Sequence, residues 1–142
     1  MPEPPSLAAV SLFVRDMAAS VAFYRAVGLD VPEGAEAQHH VGVTLPNGLA
    51  LELDTHALTR AYDPTWQPPP AGGSGVLQFL LSSREAVDAS YTRLTGAGYA
   101  GRLVPFDAFW GARYAVVLDP DGNFVALTSA QDPARGAPMP PL

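Results

Sequence analysis

Glu52 is the residue from which chemistry could most readily come. It lies in a run, 49–54, in which Leu49, Leu51 and Leu53 alternate with Ala50, Glu52 and Asp54, a period of two that sends both acids to one side of a strand. A matching run at 40–45 alternates His40, Gly42 and Thr44 with Val41, Val43 and Leu45, and a PNG turn joins the two, so a hairpin would set His40, Glu52 and Asp54 on one face. A carboxylate facing a closed site is costly unless something pairs with it. Glu52 therefore reads as a general base, as an acceptor for a ligand, or as the partner of an Arg or of Gln78. Tyr114 is the acid such a base would use. Three aromatic residues within five positions, Phe106, Phe109 and Trp110, lie beside a glycine, and with Tyr62 and Trp66 they suit stacking on a planar ligand, plugging of the site or contact with a second subunit.

Composition excludes other chemistry. Without cysteine, thiol nucleophiles, thiolate zinc sites and iron–sulfur clusters drop out. A transition metal would have to be held by His39, His40, His56 and the 14 acidic residues, a thin supply. The eight basic residues, all Arg, leave a net charge of −6, and a sequence pI near 4.8 repels phosphate backbones, so nucleic acid is not an expected partner. No run approaches the roughly 18 apolar residues of a membrane span, and MPEPPS lacks a basic leader region, so a soluble cytoplasmic protein is expected. Ser11 has no evident base beside it in sequence, and no nucleophile elbow, phosphate loop or dinucleotide fingerprint occurs. Asp16, Asp119 and Asp121 are explained by capping and turns, and His39 and His56 read as surface or hairpin-end residues.

The elements that must position these residues come in two copies. Prolines cluster at 2–5, at 64–70 and at 133–141, marking two tails and a bridge. The expected organisation is a tail at 1–6, a first module at 7–61, a bridge at 62–74, a second module at 75–130 and a tail at 131–142. Each half opens on an apolar run, 7–14 and 75–82, continues into a helical pattern, and closes on a hairpin. In the first helix Asp16 caps and Gly28 stops; in the second Ser83 caps and Gly96 or Gly98 stops. Tyr24 corresponds to Tyr91, and Gly48 to Gly122. The weakest expected strands are Leu29–Val31 and Arg102–Val104. Eight strands and two helices follow, as β-α-β-β-β repeated. In the second hairpin the repeat turns Phe124, Ala126 and Thr128 to the side of Glu52. A three-residue PDG loop would add Tyr114 by pairing it with Thr128, and a four-residue loop would add Arg113 instead. On the opening strands the same side carries Ala9, Ser11 and Phe13, then Val76, Gln78 and Leu80.

The segments LFVRDMAASVAFYRAVGL at 12–29 and WGARYAVVLDPDGNFVALTS at 110–129 resemble the vicinal oxygen chelate superfamily, which contains glyoxalase I, extradiol dioxygenases, fosfomycin-modifying enzymes and bleomycin-resistance proteins. The resemblance runs from Leu7 to Ser129. It implies an α+β fold in which tandem β-α-β-β-β modules form a curved eight-stranded mixed sheet around a cleft, with the helices outside. In metal-dependent members four side chains hold the ion, and those positions read Ala9, Glu52, Val76 and Ala126 here. Three are aliphatic, so neither a metal nor another cofactor is expected. The resemblance then implies a sequestering protein of the bleomycin-resistance type, homodimeric, taking a planar or aromatic, antibiotic-like ligand, with a cation suited to Glu52, Asp54 and the acidic total. His40, Glu52, Asp54, Trp66, Gln78, Phe106, Trp110, Tyr114 and Phe124 are its expected contacts. The alternative is a glyoxalase- or dioxygenase-type enzyme, metal-dependent or using Glu52 as base and Tyr114 as acid.

Overall fold

Strand β1 (Ala9–Val14) runs parallel to β3 (Ala50–Thr55), which pairs antiparallel with β2 (His40–Thr44), giving a three-stranded sheet in the order β1-β3-β2. The computed structural model describes residues 3–72 and 74–142; Met1 and Pro2 of the N-terminal tail and Gly73 of the bridge lie outside the described residues. Between β1 and β2 comes helix α1 (Met17–Val27). The Asp16 carboxylate accepts from the Ala19 amide at its start, and Gly28 takes φ 122° at its end, the left-handed exit that favours glycine. Val21, Phe23 and Tyr24 of α1 are fully buried, and Val41, Val43, Leu51 and Leu53 of the hairpin are nearly so. The leucine and valine set of the alternation is thus the core face, and the polar set faces away from α1.

The second unit repeats the plan. Strands β4 (Val76–Leu80), β5 (Gly101–Asp107), β6 (Arg113–Leu118) and β7 (Phe124–Thr128) form a sheet in the order β4-β7-β6-β5. Helix α3 (Arg84–Gly96) is capped by the Ser83 hydroxyl and buries Val87 and Leu94. Pro105 lies where the β5–β6 register shifts, at the edge of the sheet, a place where a missing N–H costs little. The chain forms two compact units, Met1–Pro70 and Ala71–Leu142.

The architecture is α+β, as expected, but among the described residues there are seven strands instead of eight. Leu29–Val31 is not a strand. The carbonyls of Val31 and Pro32 accept from the Arg25 guanidinium, which also pairs with Glu36, and Pro32 has no N–H to give a ladder. Val31 and Ala35 are buried, and a 3-10 turn, Ala35–Ala37, follows; the segment packs on α1 instead of extending the sheet. The two expected helices are joined by a third, α2 (His56–Tyr62), in which the Thr55 hydroxyl accepts from the Leu58 amide. A second 3-10 turn occupies Pro133–Arg135.

Candidate functional site

On the face of the first sheet opposite α1, the register sets side chains in rows across three strands. One row reads Phe13, Asp54, His40; the next reads Ser11, Glu52, Gly42; the third reads Ala9, Ala50, Thr44. Asp54 is 8% exposed, and its Oδ1 lies 2.6 Å from His40 Nδ1. A carboxylate only accepts, so the imidazole donates from Nδ1, and a neutral ring keeps an acceptor at Nε2. The Ser11 hydroxyl donates to Glu52 Oε2 at 3.0 Å. Glu52 is therefore partnered by Ser11, not by an Arg or Gln78, and Ser11 does have a carboxylate beside it, against the expectation from sequence spacing. The cause is the β1–β3 pairing, which brings together residues 41 apart in the chain. Beyond Phe13, the Trp66 ring sits edge-on at 5.1 Å and that of His56 meets Trp66 at 4.8 Å. The Arg60 guanidinium lies 5.4 Å over Trp66. His56 is thus part of an aromatic cluster, which the sequence did not reveal. His39 does sit at the hairpin end, its Nδ1 2.7 Å from Thr55 Oγ1.

On the face of the second sheet opposite α3, Tyr114 pairs with Thr128 and Val116 with Ala126, the register of a three-residue loop. Arg113 accordingly points to α3, where its guanidinium is held by both oxygens of Asp88 and by Asp107. These acids raise its pKa, the Asp88 hydrogen bond most. Desolvation pushes the Asp107 carboxyl up, but hydrogen bonds from Arg113 and Arg84 outweigh it and hold the group below its ordinary range. Tyr114 meets Phe106 at 5.9 Å and Trp110 at 5.2 Å, both edge to face, and Phe109 adds a fourth ring against Trp110 at 5.1 Å. Phe106 and Trp110 stay over a third exposed, which leaves ring surface for a ligand. Burial raises the Tyr114 pKa, so its hydroxyl remains a neutral donor at physiological pH.

The loop that carries Trp110 is held from several sides. Arg84 pairs with Asp107 and reaches the Gly111 carbonyl. The C-terminal segment adds hydrogen bonds from Asp132 N to Gly111 O at 3.0 Å and from Ala137 N to Phe109 O at 2.7 Å. Phe124 does not join the aromatic corner. It is four residues along β7 from the Thr128 partner of Tyr114, about 13 Å at strand rise, and its ring is taken up by Arg102, whose guanidinium lies 4.9 Å above it. Gln78 stands beside Ala126 on the exposed edge strand β4.

A sequence model of the glyoxalase/bleomycin resistance protein/dioxygenase superfamily matches residues 6–127. The chain belongs to that superfamily. Solved relatives share its fold. A glyoxalase/bleomycin resistance protein/dioxygenase from Nocardioides superposes with a TM-score of 0.73 at 25% identity, over 99% of this chain and 91% of that one. A family enzyme from Burkholderia phytofirmans PsJN gives 0.70 at 23% identity, covering 88% and 98%. A lactoylglutathione lyase from Agrobacterium tumefaciens gives 0.65 at 22% identity, covering 91% and 96%. No protein of curated function matches the sequence.

The superfamily's metal-dependent members imply an ion, and the residues of this chain do not fit one. Of the four carried-over positions, Ala9, Val76 and Ala126 offer only C–H groups, and one oxygen of Glu52 is engaged by Ser11. His40 and Asp54 stand next to Glu52 on the same face but are bonded to each other. Among the described residues no group of three or more His, Asp or Glu side chains is placed to hold a metal ion, whereas such ions take three or more N or O ligands at about 2.0–2.6 Å.

Proposed function

We propose that this superfamily member is a metal-independent binding protein that sequesters a planar or aromatic small molecule. The observation that carries the reading is the corner of Phe106, Trp110 and Tyr114, three mutually edge-on rings left partly exposed, Phe106 and Tyr114 on the paired strands β5 and β6 and Trp110 on the loop between them, which Arg84 and the C-terminal segment tie down. Rings held in place beforehand bind with less ordering cost than mobile ones. Tyr114 supplies a neutral hydroxyl for orientation. The protein acts as a cytoplasmic homodimer on this reading, which sedimentation would test.

Titration of intrinsic tryptophan fluorescence with glycopeptide, quinone and enediyne-type compounds tests the reading. Saturable quenching that is lost in Trp110→Ala supports it. Binding indifferent to that substitution overturns it. The likeness to a lactoylglutathione lyase favours one second reading, a lyase or oxidoreductase that uses a metal or Glu52 as base. Elemental analysis of protein purified without chelators, followed by a turnover assay, separates the two: a stoichiometric metal or catalysis would favour the enzyme.

A further inference from the structure

We propose that the face of the first sheet opposite α1 recognises a planar cation of the amidine or cyclic-guanidine class, which donates adjacent N–H groups to His40 Nε2 and to the Glu52 carboxylate across the gap at Gly42. The inference rests on the reading of the protein as a small-molecule binder and adds a ligand chemistry for the first unit.

Gly42 stands directly across the ladder from Glu52 and two residues from His40. A Cβ placed on Gly42 would lie 4.0 Å from His40 Nε2, so the ring leans over a position that has no side chain. Asp54 fixes that ring from the other side at Nδ1. Glu52 has one oxygen occupied by Ser11, and its other oxygen has no hydrogen-bond partner among the described residues. Two acceptors therefore border one gap, as diagonal neighbours about 7–8 Å apart at Cα. Ser11, the donor in the row of Glu52, is already spent on that carboxylate. Such a set takes a hydrogen-bond donor and repels an anion.

Charge and shape agree with this. Eight of the 14 acidic residues but only three of the eight arginines fall within residues 1–70, a balance of −5 out of −6. Phe13, 37% exposed, shares a row with Asp54 and His40 and carries Trp66 against it, which offers aromatic surface beside the acceptors. The chain's own Arg60 guanidinium already rests over Trp66, so this cluster accommodates a planar cation.

The test uses the full chain and two compounds of the same shape, 2-aminobenzimidazole, a cyclic guanidine, and 2-methylbenzimidazole, which lacks the exocyclic N–H groups. Calorimetry should show the first binding at least about tenfold more tightly than the second, the ratio expected for a charge-assisted hydrogen bond. His40→Ala and Glu52→Gln should each weaken the first compound by about tenfold or more on the same grounds. Gly42→Leu should abolish binding while removing no polar group, and its backbone has no positive φ to strain. The indole N–H signal of Trp66 should shift, with Trp110→Phe used to assign it. Equal binding of the two compounds, no binding at millimolar concentration, or indifference to His40→Ala and Glu52→Gln would overturn the proposal. Compounds that move only the Trp110 signal would leave the second unit's aromatic corner standing while removing this inference.

Discussion

At the scale of single residues, His40, Glu52 and Asp54 share one face of β2 and β3, and Ser11 reaches Glu52 from β1. Alternation alone placed His40, Glu52 and Asp54 together. The Ser11–Glu52 bond was hidden because parallel pairing joins distant segments whose mutual register no turn dictates. Phe124 shows the reverse limit: parity put it on the right face, but only the register shows that it lies far from Tyr114. Two expected outcomes belong here. Gly111 has φ 94°, and a Cβ there would lie 2.4 Å from the Asp132 carbonyl oxygen, so Gly111→Ala should lower unfolding stability by about 1–3 kcal/mol in denaturant titrations and weaken ligand binding by freeing the Trp110 loop. Burial raises the Tyr114 pKa above 10.0. The neutral phenol is thus the form the fold prefers, and this contribution is complete below the ordinary tyrosine value and lost as pH rises through the raised one. Ultraviolet phenolate titration should show one late-ionising tyrosine fewer in Tyr114→Phe than in the parent protein.

At the scale of elements, caps were the most legible signals. Asp16 and Ser83 begin α1 and α3 where expected, because a side-chain oxygen three residues before a free amide is a local feature. Asp16→Ala should cost about 0.5–2 kcal/mol, read as a lowered denaturation midpoint with unchanged slope. The absent strand at Leu29–Val31 and the added helix α2 have tertiary or marginal causes. Arg25 takes the carbonyls that a ladder would need, and a seven-residue helix gives too few turns for a periodic pattern. Thr55 was the available clue, as the cap of α2, and Thr55→Ala should cost about 1 kcal/mol on the same scale and release His39 from its hydroxyl.

At the scale of the whole molecule, duplication was the strongest message in the sequence. Proline clusters separated two halves whose helices and hairpins matched, and that correspondence led to the superfamily now shown by the match over residues 6–127. At the positions that hold the ion in metal-dependent members this chain carries three aliphatic side chains and one carboxylate already bonded to a serine, and each unit leaves aromatic surface open. Its acidity is concentrated in residues 1–70, so binding of a cationic ligand should weaken as salt rises toward the range where charges are screened within about 10 Å, whereas binding of a neutral aromatic should not. The proposed function comes down to metal-independent binding through the Trp110 corner. Calorimetric titration of the best aromatic ligand, before and after exhaustive treatment with a chelator and again in Trp110→Ala, decides it. Affinity should be the same with and without chelation and fall about tenfold or more in the variant; affinity that disappears with the chelator and returns with one equivalent of a divalent metal would overturn metal-independent binding.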